Sequence, residues 1–231
     1  LRPTAALNAR AAERLHLRQV FVLSKYTVKY AKRGNAKYIS HLDFLRTIGR
    51  AMRRAELPLK YSEGFNPHPL ISFAAPLSVG IESECELFRA ELTVEIPCEQ
   101  FRDRLNAALT PELYILDVTE ENIDFTAIAA ADYVIEAEFP PTADELDAFM
   151  SNDEILIEKK TKKGIKETDI KADIFSISVN DNIITAALKT GDSGNLKPML
   201  LVLAAEKYLG RDFGFCRYKR LAFRDADNNV I

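Results

Sequence analysis

The first readable pattern in the chain has a period of two. Tyr26, Val28 and Tyr30 alternate with Thr27 and Lys29, as the two faces of a half-buried strand require. A polar loop from Lys32 to Lys37 leads to Ser40, whose hydroxyl suits an N-cap, with Asp43 in the first turn of the helix that follows. That helix is expected to run to about Glu56, where Leu57-Pro58 stops it. Its predicted apolar stripe is Leu42, Leu45, Ile48, Met52 and Ala55, with Arg46, Arg50, Arg53 and Arg54 gathered on another face. An apolar strand from Leu70 to Ala75 and a turn at Gly80-Ile81-Glu82-Ser83 lead into a second strand from Glu86 to Ile96. A helix over Cys98 to Leu109 and a closing strand from Tyr114 to Val118 complete the order βαββαβ, the ferredoxin-like split βαβ arrangement.

Alternation resumes at Tyr133, Ile135, Ala137 and Phe139. Thr142 and Glu145 form a capping box for a short helix with Leu146 and Phe149, and Ile155 to Lys159 reads as a strand. Phe175 to Val179 and Ile183 to Leu188 flank Asn180-Asp181-Asn182 as a hairpin. Leu196 to Leu209 is an apolar helix closed by Gly210, and Phe215 to Phe223 reads as a last strand. The expectation is an α+β protein of two tandem ferredoxin-like modules, residues 26–119 and a diverged repeat over 133–231. An acidic linker, 120–132, joins them, and a basic Ala/Arg-rich helical extension, 1–25, precedes them. Glu13 and the lack of serines argue against reading that extension as a mitochondrial presequence. The absence of Met at position 1 suits a piece of a longer or fused chain, or a misassigned start.

Charge changes this picture only locally. With 31 basic and 34 acidic side chains the formal net charge is -3, which excludes a globally basic nucleic-acid coat but leaves room for a basic patch. Three widely spaced cysteines without a CxxC motif suit a reducing cytosol, and no apolar run approaches the ~20 residues that span a bilayer. The expected location is cytoplasmic, with no membrane association.

The densest candidate chemistry lies between Lys29 and Ser83. Lys32, Arg33, Lys37, Arg46, Arg50, Arg53 and Arg54 form a cationic group opposed by few acids, suited to phosphates and so to a nucleic acid. The plainer alternative is a solvated helix face whose arginine stems cover apolar surface. His41 is a candidate general acid or base, set against a histidine packed at the helix start; Ser40, His41 and Asp43 are too close in sequence to form a triad. Ser62, Gly64, Phe65, Asn66, Pro67 and His68 make a stiff loop that presents Phe65 for stacking or serves as a rigid corner. Gly80, Glu82 and Ser83 form a turn expected beside the helix start, while His41 and His68 belong at opposite ends of the helix and should share no metal. A second basic run, Lys159 to Lys166, reads as a solvated hairpin tip.

The stretch Tyr38-Ile39-Ser40-His41-Leu42-Asp43, with Arg50-Ala51-Met52-Arg53-Arg54-Ala55 and Leu57 to Pro69, resembles the bacterial radical-SAM-linked protein family, a domain of unknown function. Ile71-Ser72-Phe73-Ala74, Pro76-Leu77 and Gly80-Ile81-Glu82-Ser83 continue the resemblance. It implies a protein encoded beside, or fused to, a radical SAM enzyme with a cobalamin-binding-type domain. A radical SAM cluster needs closely spaced cysteines such as CxxxCxxC, which Cys85, Cys98 and Cys216 do not supply. The chain is therefore expected to bind no cofactor, while its partner carries the iron–sulfur cluster and S-adenosylmethionine. The first expectation is a non-catalytic partner that presents tRNA or rRNA. Its rivals are a metal-independent endoribonuclease using His41, by analogy with tandem ferredoxin-like RNA-processing enzymes, and a protein-docking module.

Overall fold

The computed structural model describes residues 24–161 and 164–231. The first half runs β1 (Ser24–Lys32), a 3-10 turn (Gly34–Tyr38), α1 (His41–Arg54), β2 (Ile71–Phe73), β3 (Ile81–Leu92), α2 (Cys98–Ala108) and β4 (Leu113–Thr119). The second runs β5 (Ala130–Ala137), α3 (Ala143–Met150), β6 (Leu156–Thr161), β7 (Gly164–Asp169), β8 (Ile174–Asn180), β9 (Ile183–Lys189), α4 (Pro198–Leu209) and β10 (Cys216–Arg224).

Among the described residues the fold is α+β, with four helices, a mixed eight-stranded sheet and a separate β6-β7 hairpin. The main sheet is ordered β4-β1-β3-β10-β5-β9-β8, with β2 also paired to β3. β3 is long enough to hold β2 antiparallel at Ile71↔Ala90 to Phe73↔Phe88, and β10 parallel at Tyr218↔Ile81 to Arg220↔Ser83. The two halves therefore share one sheet.

The acidic segment between them lies against that sheet. The Thr27 hydroxyl donates to the Glu121 carbonyl (2.8 Å), the Arg89 guanidinium donates to the Ile123 carbonyl and covers the Phe125 ring, and Ile128 is buried. Ala130–Asp132, read from the sequence as linker, already pair in β5.

Two apolar clusters sit on the two halves. One gathers Tyr26, Val28, Phe44, Ile48, Met52, Phe88 and Phe101; the other gathers Tyr133, Ile135, Phe149, Leu188, Leu201 and Phe223. Between them lies a buried polar junction. Arg220 of β10 donates to the Glu86 carboxylate of β3 (2.9 Å) and, through two nitrogens, to the Tyr133 hydroxyl of β5 (3.0 and 2.9 Å). Burial alone would lower the Arg220 guanidinium, but Glu86 and Tyr133 outweigh it and hold the group above its ordinary value.

Several boundaries differ from the sequence reading for identifiable reasons. β1 extends to Lys32, so the inward face of Tyr26, Val28 and Tyr30 continues into a lysine. β3 begins at Ile81, because Glu82 and Glu84 are the outward positions of a strand whose inward positions are Ile81, Ser83 and Cys85; only Gly80, at φ +90°, lies in the turn. Leu42 is 66% exposed rather than part of the apolar stripe. The buried set is Phe44, Ile48, Ala51, Met52 and Ala55, and at 100° per residue Leu42 falls about 135° from its centre. Residues 1–23 of the proposed extension, with Lys162 and Lys163 of the second basic run, lie outside the described residues; Ser24 and Lys25 belong to β1.

Candidate nucleic-acid interface

The start of α1 is set by Ser40, whose Oγ accepts from the Asp43 amide (3.3 Å) and donates to the Asp43 carboxylate (2.8 Å). The Ser40 contact and Arg46 hold the Asp43 carboxyl below its ordinary range. Ser40 is thus engaged with Asp43, and the side chain of His41 makes no hydrogen bond among the described residues. His41 instead lies edge-on to Phe73, ring centres 5.4 Å apart, and Phe73 in turn contacts Phe44, Tyr30 and Phe88. That placement follows from helical phase: His41 falls about 35° from the centre of the apolar stripe. The imidazole is exposed yet seated on an aromatic cluster, with no nucleophile or orienting carboxylate bonded to it.

The arginines face outward in an arc. Arg46, Arg50, Arg53 and Arg54 are all exposed, on the side opposite the buried set. Their engagements differ. Arg46 pairs with Asp43 (3.0 Å) in water, Arg53 donates to the Gly49 carbonyl one turn back, and Arg54 donates to the Ala108 carbonyl at the end of α2 (2.7 Å). Arg50 makes no hydrogen bond or ion pair among the described residues. Arg46, Arg50 and Arg53 therefore keep their guanidinium groups available at little cost, since an exposed i,i+3 pair contributes only a few tenths of a kcal/mol. Arg54 is already committed to holding α1 against α2, beside Arg104, which donates to the carbonyls of Ala55 and Glu56.

The other cations expected here are differently placed. Lys32 does not belong to the surface: it is 4% exposed, donates to the Ile39 carbonyl (2.9 Å) and lies over the Phe44 ring. Burial lowers its ammonium from the ordinary value, partly offset by Glu86. Arg33 is bound to Glu84 through two nitrogens, and Lys37 to Glu82 (3.2 Å), with Lys219 of β10 also on Glu84 (3.0 Å). The Gly80 amide donates to the Lys37 carbonyl (2.9 Å), so this turn does meet the loop before α1. Glu82 serves Lys37, and Ser83 is fully buried, its Oγ accepting from the Cys85 amide.

The motif loop forms a tongue. Its base is an antiparallel contact between Tyr61 and Pro69, and the Ser62 amide donates to the His68 carbonyl (2.9 Å). The Ser62 hydroxyl closes the neck, accepting from the His68 amide (3.1 Å) and bonding Nδ1 of its ring (2.8 Å). Glu63 to Pro67 form the exposed tip, with Gly64 at φ +118° and Phe65 wholly in solvent. A Cβ on Gly49 would sit 3.8 Å from Pro69, which places the base of the tongue at the edge of the α1 face that carries Arg46 and Arg53. The base of the tongue thus adjoins the α1 face that carries Arg46 and Arg53, Phe65 is exposed at its tip, and His68 is bound into its neck rather than beside His41.

Cys85 is buried in β3, Cys98 starts α2 and Cys216 starts β10, and no group of three or more His, Cys, Asp or Glu among the described residues is arranged to hold a metal ion. No helix among the described residues is long and apolar enough to cross a membrane. The sequence reading missed the Glu86–Arg220–Tyr133 junction. A signal for half of it was present: Glu86 stands two residues before Phe88 and four before Ala90, on the face that those apolar residues bury, where an acid requires a partner.

Fold and surface together define a mixed-sheet α+β protein with an outward cationic helix and an adjoining aromatic tongue. The chain belongs to the bacterial family described as "Uncharacterized protein conserved in bacteria (DUF2344)", which it matches over residues 25–198. Two solved structures are similar at 9% identity, each over 86% of this chain. One is a crystal structure of a Cbf5-Nop10-Gar1 complex (TM-score 0.42, 48% of that chain covered). The other is an unknown protein from Galdieria sulphuraria (TM-score 0.27, 97% of that chain covered). The chain thus spans about half the length of the Cbf5-Nop10-Gar1 chain it matches. No curated protein matches the chain.

Proposed function

We propose that this protein is a non-catalytic partner of a bacterial radical SAM enzyme and that it presents an RNA, of the tRNA or rRNA class, on the outward face of α1. The observation that carries the RNA part is the row Arg46, Arg50 and Arg53, three exposed guanidinium groups engaged at most by one exposed acid and a carbonyl of their own helix. The row climbs about 10 Å along α1, enough to meet successive phosphates of a backbone with one charge per about 3.4 Å of rise per strand. Arginine forks match phosphate oxygens in geometry as well as charge.

The radical SAM association rests on the motif resemblance from Tyr38 to Ser83. In this reading the partner supplies the cluster, S-adenosylmethionine and the reaction, and this chain supplies affinity. Each half is read as a ferredoxin-like module, since β4-β1-β3-β2 and β10-β5-β9-β8 repeat the same strand order, with β6-β7 inserted in the second.

The test is binding of the purified chain to labelled total tRNA and rRNA fragments at low and moderate salt, beside Arg46/Arg50/Arg53→Ala. Arg54 is kept intact in this variant because it supports α2. Binding should weaken steeply with salt, and the variant should lose about two to three from the slope of log affinity against log salt. Absence of binding by the intact chain refutes the RNA reading and leaves protein docking. Cleavage without added metal, abolished in His41→Ala, would replace presentation by a ribonuclease.

A further inference from the structure

We infer that the RNA held by this surface is unpaired where it meets the protein, with one base stacked on Phe65 while Arg46, Arg50 and Arg53 hold the adjoining backbone. This rests on the RNA reading above and adds to it a substrate class and a contact of a different kind.

Phe65 is 105% exposed, so its ring faces are covered by none of the described residues. Lone exposed apolar side chains are common and by themselves mean little. Here the tongue is closed at its neck by the Ser62–His68 contacts. Its base is tied to the sheet where the Lys60 amide donates to the Glu91 carbonyl (2.8 Å) and the Leu70 amide donates to the Lys60 carbonyl (2.9 Å). Pro67 and Pro69 restrict the returning limb. The ring is thus carried on a preorganised support, which reduces the ordering cost of a contact.

The chemistry of the tip selects the ligand. Glu63 near Phe65 is exposed and acidic, so the tip itself repels phosphate, whereas the base of the tongue meets α1 at Gly49, at the edge of the face that carries Arg46 and Arg53. Backbone and base are therefore directed to different places: phosphate to the arginine row, an uncharged aromatic face to the tip. A duplex cannot meet both demands, because its base faces are stacked within the helix; a loop, bulge or single strand can splay a base outward. Stacking of a base on an aromatic side chain is worth about 1–3 kcal/mol, or roughly 5- to 150-fold in affinity.

The chain contains no tryptophan, so Phe65→Trp places a sole indole reporter at the tip. The experiment titrates this variant with a short oligoadenylate and with an RNA duplex of the same length, and measures the affinity of the intact chain, Phe65→Ala and Phe65→Leu for both. Thermal melts check that the tip substitutions leave the fold unchanged. The expected result is saturable quenching by the single strand and none by the duplex, with single-strand affinity lowered roughly 5- to 150-fold in Phe65→Ala and also lowered in Phe65→Leu, which keeps an apolar side chain without a π face. If the single strand binds, is weakened by Arg46/Arg50/Arg53→Ala, and yet leaves the indole unquenched and Phe65→Ala unaffected, stacking is overturned and the RNA interface stands. Equal affinity for duplex and single strand also overturns it. Binding of neither RNA overturns both readings together.

Discussion

The junction of Arg220, Glu86 and Tyr133 gives the sharpest test of how the two halves are held together. Glu86→Gln keeps the shape of the side chain and removes its charge, leaving the Arg220 guanidinium uncompensated at 1% exposure. Two unit charges about 4 Å apart attract by about 4 kcal/mol at an effective dielectric constant near 20. Removing one partner of a buried pair costs about 3–5 kcal/mol in general. Arg220 would keep its two contacts to the Tyr133 hydroxyl and its place over the Phe223 ring, so the lower end, about 3 kcal/mol, is expected. Urea unfolding followed by circular dichroism should show this as a midpoint lower by about 1.5 M if the urea slope is near 2 kcal/mol per M. The double variant Glu86→Leu/Arg220→Met should recover most of the loss, because burying two charges has already cost much of what their attraction returns. A loss below about 0.5 kcal/mol in Glu86→Gln would place the substitution among ordinary surface changes and refute the reasoning.

Acid should loosen the same contact from the outside. Glu84, which joins Arg33, just after β1, to Lys219 of β10, is held below its ordinary value chiefly by the Arg33 hydrogen bond and also by Lys219. A lowered carboxyl contributes stability that is fully present above the unfolded pKa, about 4.3, and is lost as pH falls through the lower folded value. Thermal stability of Glu84→Gln should therefore match that of the intact chain more closely near pH 3 than at pH 7. Cys85 is pushed up to about 12 by burial, so at pH 8 a thiol reagent should leave it unmodified in the native protein and reach it only on unfolding, as peptide mapping would show. Gly191→Ala should destabilise by about 1–3 kcal/mol in thermal melts, because φ is +114° and the new Cβ would fall 2.1 Å from the Ile128 carbonyl oxygen; an unchanged melting temperature would contradict it.

The elements that could be read from sequence are those whose signals are local. Ser40 and Asp43 mark the start of α1, Thr142 and Glu145 close as a capping box, and Gly210 adopts φ +66° at the end of α4. The union of the halves was not legible, because it depends on a parallel contact between β10 and β3, residues more than 130 positions apart, and on a segment whose acids suggested a free linker. Lys32 was misplaced for a related reason: a lysine after a tyrosine strand reads as loop until the strand is seen to continue and the segment before α1 to supply the Ile39 carbonyl as its acceptor. The candidate site was legible as composition, in the arginines and the Gly64 to Pro67 run. It was not legible as geometry, since only packing shows that Arg54 is committed to α2 and that Arg50 has no hydrogen bond or ion pair among the described residues.

These placements set apart two groups of charges in and against the first half, with different consequences. Lys32, Glu86 and Arg220 are desolvated and bonded, so changing them alters stability before it alters any ligand. Arg46, Arg50 and Arg53 are hydrated and loosely held, so replacing them should leave the melting temperature nearly unchanged and act on a ligand alone. The aromatic groups divide in the same way: Phe73 and Phe88 support α1 from beneath through Phe44, while Phe65 packs against none of the described residues. A variant of the outward group that lost both RNA affinity and stability would mean that the surface is structural. Loss of affinity at constant stability is what an interface requires, and measuring both quantities on each variant separates the two cases without knowledge of the reaction served.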